Sequence, residues 1–165
     1  SVYTPLLNPH GGFKGDLTIL RLDEHHFRIV TGGATGNIDK KWFTDHMPQD
    51  GSVHLTDRSS SLCTIGLWGP NARKVLESIT EDDVSDAGFP YGSVKTIQIG
   101  QIRAVAFRIS YVGELGWEIY TSFEQGTFLW DLLWNAGQSH DILPVGIGVY
   151  GTTARLEKGL SLIHI

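Results

Sequence analysis

Two stretches of the sequence set acids among glycines and aromatic rings, where a carboxylate is costly to keep unless a partner or ligand satisfies it. The first runs Tyr3-Thr-Pro-Leu-Leu-Asn-Pro-His-Gly-Gly-Phe-Lys-Gly-Asp-Leu-Thr18 and the second Arg108-Ile-Ser-Tyr-Val-Gly-Glu-Leu-Gly-Trp-Glu-Ile-Tyr120. Taken locally, each acid has two readings. Asp16 is either a turn residue that opens a strand or a group aimed at chemistry. Glu118 is either the solvent side of an alternating strand or an acceptor for a ligand. Tyr111 and Trp117 have the character of core or rim aromatics, and Trp117 keeps that reading. Glu114 is a weaker candidate, best described as a turn acid flanked by glycines. Other chemistries find no support. No phosphate-cradling glycine-lysine loop, zinc-binding His-Glu-x-x-His or nucleophile elbow is present. The seven histidines never fall at metal-ligand spacing, so no metal site is expected. Gly146-Ile-Gly-Val-Tyr-Gly151 resembles a dinucleotide loop only superficially, since neither a preceding strand nor a following ribose-binding acid accompanies it.

The elements that must carry these residues alternate between strand and helix. Residues 16–22 and 27–31 read as strands around an Asp23–His26 hairpin turn. Residues 35–46 read as a helix with Ile38, Trp42, Phe43 and His46 near one face. Val53-His-Leu and residues 62–68 are strand candidates. Residues 69–79 form the clearest helix pattern, with Pro70 suited to the first helical position and Ala72, Val75, Leu76 and Ile79 on one face. Residues 94–99 and 103–112 read as a hairpin across Gly100-Gln101, and 117–120 as a further strand. Phe128, Leu129, Leu132, Leu133 and Ala136 space out as a helix face ending near Gly137, and a last helix covers 150–158. Strands joined both by hairpins and by helices predict an α+β domain of mixed or antiparallel sheets with packed helices.

Composition bounds the function. The chain has 165 residues, 41% hydrophobic and 19% charged, which suits one folded domain with a real core. A net charge of −5 argues against nucleic acid as a partner. The single cysteine, Cys63, lies in an apolar strand-like run and reads as a buried inert thiol. No stretch approaches the ~18 apolar residues of a membrane helix. Neither a secretory leader nor a membrane partner is expected.

Tyr-x-x-x-x-Asn-x-x-Gly-Gly, the Asp-Leu that follows it, and Ser-Tyr-x-Gly-Glu-x-Gly-Trp-Glu together resemble the signatures of the glycine-cleavage T-protein family of folate-dependent aminomethyltransferases. The version here is closer to the folate domain of dimethylglycine and sarcosine dehydrogenases. Val-Thr-Gly, Trp-Gly-Pro-Asn-Ala and Arg155-Leu-Glu-Lys-Gly159 add collinear support, so the likeness covers nearly all of residues 2–159. The resemblance implies a partial tetrahydrofolate-binding, aminomethyltransferase-type domain over 1–159, with Asp16 as the catalytic acid. It also implies folate contacts from Tyr3, Thr18, Thr31, Gly32, Tyr111 and Glu118. A pterin offers adjacent N–H donors that a carboxylate accepts together, and aromatic faces hold its flat ring.

Departures from the family pattern narrow the expectation. Thr31 stands where the aminomethyltransferases carry Asn, and Gly15 where they commonly have a second acid. Residues 148–155 lack their Gly-Ala-Arg-Asp pattern, which leaves the folate-tail arginine without a counterpart; Arg108 and Arg155 either pair with acids or meet that tail. These changes favour a domain fed by an oxidoreductase module. The resemblance therefore implies one-carbon transfer from an amine-derived donor to tetrahydrofolate, giving 5,10-methylenetetrahydrofolate, with FAD only in a companion module. The alternatives are a folate-binding module without chemistry and a folate-dependent demethylase. The implied compartment is the cytoplasm or, in a eukaryote, the mitochondrial matrix. Both ends read as cut, and residues 160–165 read as a non-native tail in which His164 carries no functional weight.

Overall fold

A computed structural model describes residues 1–161 of the chain, in two compact units, the first Ser1–Ser60 and the second beginning at Ser61. The first unit holds β1 (Val2–Leu7), β2 (Phe13–Arg21), β3 (Phe27–Val30) and α1 (Gly36–His46), with the strands antiparallel in the order β1-β2-β3. The Asn-x-x-Gly-Gly signature builds the β1–β2 connection. Asn8 Oδ1 accepts the backbone N–H groups of His10 (2.9 Å) and Gly12 (2.8 Å), while Gly11 takes a φ of +78° that favours glycine. A side chain on Gly12 would strike the Asn8 amide at 2.7 Å. This turn sets the register that pairs Tyr3 with Thr18 and Pro5 with Asp16. The Asp23–His26 hairpin forms as expected and leaves His25 and His26 exposed. The α1 prediction holds in extent but not in its buried face. Ile38 is exposed, whereas Asp39 is buried, accepts a hydrogen bond from Thr35 Oγ1 (2.8 Å) and packs close against Gly15. The strand expected at 53–55 does not form; Val53 and Leu55 are exposed and no strand pairs with them.

The second unit is a four-stranded antiparallel sheet in the order β4-β7-β6-β5, from β4 (Leu62–Trp68), β5 (Val94–Ile99), β6 (Ile102–Phe107) and β7 (Gly116–Ser122). Helices α2 (Ala72–Glu77) and α3 (Gly126–Gly137) join its core, where Leu76, Phe89, Ile99, Trp117, Ile119 and Leu129 are fully enclosed. Each such side chain contributes roughly 1.5–3 kcal/mol by leaving water. Pro70 does not open α2. Gly69 adopts φ +135°, and Ala72 N–H bonds Gly69 O (3.0 Å), so Pro70 occupies a turn ahead of the helix. Strand β6 stops at Phe107 rather than reaching 112, because its partner β5 begins only at Val94, after a left-handed Gly92. Cys63 is half-buried rather than buried, with its sulfur against Gly126. The last predicted helix divides into a π-helical turn (Val149–Thr153) and α4 (Ala154–Glu157). In the expected tail, Leu160 N–H bonds Arg155 O (3.0 Å), and residues 162–165, His164 among them, lie outside the described residues.

Candidate functional site

The seven residues singled out from sequence fall into two groups, one in each unit. In the first, Tyr3, Asp16 and Thr18 share a face of the sheet, since Tyr3 lies opposite Thr18 and Asp16 two residues before it. The Tyr3 phenol donates to Asp16 Oδ2, so the pairing register itself delivers a donor to the acid. Asp16 is exposed and Thr18 half-buried. Val30 also pairs with Thr18, which brings the end of β3 beside the same strand. Thr31 and Gly32 follow directly. Gly32 O accepts from both the backbone N–H (3.0 Å) and the hydroxyl (3.2 Å) of Thr35, a turn that leads into α1.

In the second unit Glu118 stands on β7 between core residues Trp117 and Ile119, and strand alternation turns it to the opposite face. Its cross-strand neighbours are Gly66 on β4 and Phe107 on β6. Glu118 is half-buried, and Tyr120, two residues on and so on the same face, donates its phenol to Glu118 Oε2 at 2.5 Å. Burial pushes the Glu118 carboxyl above its ordinary pKa, against the opposing pull of the Tyr120 hydrogen bond. Tyr111 reaches this neighbourhood through Tyr150, with ring centroids 4.8 Å apart and planes 23° from parallel. Tyr150 stacks also on Trp68, at 5.2 Å and 29°. Burial, with the Glu118 and Tyr111 charges adding, pushes the Tyr150 phenol up to about 12. Trp68 is held by its indole N–H to Ile109 O (3.1 Å), and its ring lies over Gly66, where any side chain would collide with it.

The second signature is structural around its acid. Ser110 Oγ accepts the Glu114 N–H (2.9 Å), Gly113 takes φ +75°, and the Glu114 carboxylate pairs with Lys158 at 2.6 Å. Trp117 is core, edge-on to Phe89 at 6.1 Å. Arg108 bonds Phe89 O (2.6 Å) and Asp86 (2.5 Å), which makes it a strut of the fold, and Arg155 bonds Leu160 O (2.9 Å). Among the described residues there is no group of three or more His, Cys, Asp and Glu that could hold a metal ion, and no helix long and apolar enough to cross a membrane.

Sequence reasoning missed Trp68, Tyr120 and Tyr150. Tyr120 carried a usable signal, since a residue two positions from Glu118 on a strand must share its face. Trp68 lay in the Trp-Gly-Pro-Asn-Ala match, but nothing local to Tyr150 marks its stacking.

Residues 1–164 match the family model of the GCVT N-terminal domain. The chain belongs to that family. Human mitochondrial dimethylglycine dehydrogenase is 36% identical over 155 residues, covering 93% of this chain and 18% of that protein. The aminomethyltransferase of Clostridium botulinum (strain Okra / Type B1) is 31% identical over 161 residues, covering 98% of this chain and 43% of that protein. The chain thus spans less than half the length of these relatives. Among solved structures, the heterotetrameric sarcosine oxidase from Corynebacterium sp. U-96 superposes with a TM-score of 0.58 at 17% identity, over 81% of this chain and 67% of that one. That likeness bears out the α+β architecture of antiparallel sheets and packed helices, and the family match bears out the resemblance read from the two signatures.

Proposed function

We propose that this chain is a reduced-folate-binding domain that takes a one-carbon unit from an amine-derived donor and delivers it to tetrahydrofolate. The observation that carries this is the Glu118 carboxyl, half-buried off the core face of β7, hydrogen-bonded by Tyr120 and close to Tyr150, which stacks on Tyr111. A carboxyl kept there against its desolvation suits a ligand that brings its own N–H donors. The pterin edge of folate has that pattern, and the flat pterin suits the neighbouring rings. Asp16, with the Tyr3 phenol on one oxygen, orients the amine and stabilises positive charge on the carbon in transit. Thr18, Thr31 and Gly32 supply polar and backbone groups next to that acid.

Tetrahydrofolate supplies the two nitrogens that accept a carbon at the formaldehyde level, giving 5,10-methylenetetrahydrofolate and releasing the amine and a proton. Oxidation of an N-methyl amine of the dimethylglycine or sarcosine kind belongs to an FAD-dependent companion module or subunit. The implied location is the cytoplasm or, in a eukaryote, the mitochondrial matrix; the human relative is named as mitochondrial.

Asp16→Asn tests the chemistry. It should abolish turnover of an iminium donor while keeping folate affinity, and undiminished turnover would remove Asp16 from catalysis. A wild type that binds folate without turnover is a binding module. A product of 5-methyltetrahydrofolate formed without oxidation identifies a demethylase.

A further inference from the structure

The rings around Glu118 are not equivalent in how they are held. Trp68 is anchored at both ends of its span, by its place on β4 and by its indole bond to Ile109 O (3.1 Å). Tyr150 instead sits on the π-helical turn, flanked by Gly148 and Gly151, at both of which a side chain would meet open space. Its neighbour Val149 and nearby Ile147 are exposed, so the turn is lightly packed. Such single π turns are uncommon and concentrate at functional positions. An open groove of about 700 Å³ runs beside β4, an outer strand of its sheet, lined by Gly66, Trp68, Trp130, Ile147 and Tyr150. Neither Glu118 nor Tyr111 lines it. Tyr150 therefore lines the groove while stacking on Tyr111 and Trp68, near enough to Glu118 for that charge to act on its phenol.

We propose that Tyr150 is a displaceable ring that fills the stacking position on Tyr111 in the free protein and leaves it when a flat heteroaromatic ligand reaches Glu118 from the β4 groove. This rests on the folate reading and deepens it, since it makes Tyr150 a determinant of affinity and entry. The chain must spend part of the ligand's stacking on replacing a stack it already has. A protein whose competent state is only partly populated shows a correspondingly weakened apparent affinity, and removing the competitor restores it.

The test uses the stable reduced folate 5-formyltetrahydrofolate. Tyr150→Ala should bind it about tenfold more tightly than wild type. Equal or weaker binding by the variant would overturn the proposal, the weaker case marking Tyr150 as a wall of the site. A second readout needs no destabilising variant. In protein labelled with 3-fluorotyrosine, the Tyr150 fluorine resonance, assigned by its loss in Tyr150→Phe, should move on saturation to the position of a solvent-exposed ring. A resonance that stays, or moves further into a stacked environment, overturns the proposal. Binding by wild type without gain in Tyr150→Ala refutes the gate alone. Absence of binding by both proteins refutes the folate reading and the gate with it.

Discussion

Gly116 of the Gly-Trp-Glu signature should be irreplaceable for a reason that lies in the sheet rather than in any ligand. It pairs with Trp68 across the β4–β7 ladder, and a Cβ there would lie 2.8 Å from Trp68 Cα, 2.5 Å from Trp68 Cδ1 and closer still to the Leu67 carbonyl oxygen. Two of these three are backbone atoms, so no rotamer change relieves the clash and the strands must part at this rung. Parting them forfeits backbone pairing at ~1 kcal/mol per hydrogen bond and adds overpacking strain of ~1–3 kcal/mol. Gly116→Ala should therefore destabilise the second unit by about 2–4 kcal/mol. Urea unfolding followed by tryptophan fluorescence measures it. Gly146→Ala is the control, since a Cβ there meets nothing within 4 Å, and it should stay within about 0.5 kcal/mol of wild type. If Gly116→Ala unfolds as late as that control, the close approach is not a property of the folded protein.

Leu76, fully enclosed on α2, should cost about 2–5 kcal/mol on truncation to Ala, read by the same unfolding transition. Glu118→Gln should raise the melting temperature of the unliganded chain at neutral pH. Burial lifts the folded-state pKa above the ordinary 4.5, so in that window the folded chain binds more protons than the unfolded one, and wild-type stability falls as pH rises through it. The gain should vanish in acid below the ordinary value, and a gain confined to acid would refute the sign. Tyr3→Phe removes the phenol that serves Asp16 from an exposed position, so stability should change by less than about 0.5 kcal/mol while turnover falls. Unchanged turnover would show that the phenol does not serve the acid.

Much of this arrangement was legible in the sequence where local chemistry and tertiary structure agree. The β2–β3 hairpin, the β5–β6 pair across Gly100 and the burial of Leu129 and Leu133 on α3 follow from turn residues and periodicity alone. Val53 and Leu55 alternate as a strand would, yet a strand needs a partner edge, and none pairs with them. Pro70 suited a helix start and a turn equally; the left-handed Gly69 before it decides for the turn. In the candidate site, Asp16 and Glu118 were visible as acids in costly surroundings. Their immediate partners, the Tyr3 phenol on one and the Tyr120 phenol on the other, depend on pairing register and strand face. The stack of Tyr150 on Tyr111 and Trp68 joins segments remote in sequence and left no local mark.

The central claim is that Glu118 receives the donor edge of a reduced folate, and calorimetric titration of 5-formyltetrahydrofolate into wild type and Glu118→Gln tests it most directly. Loss of a charge-assisted contact should weaken binding by about 1.5–3 kcal/mol, roughly ten- to 150-fold. Equal affinity in the two proteins, or a wild type that takes up no reduced folate, would contradict it.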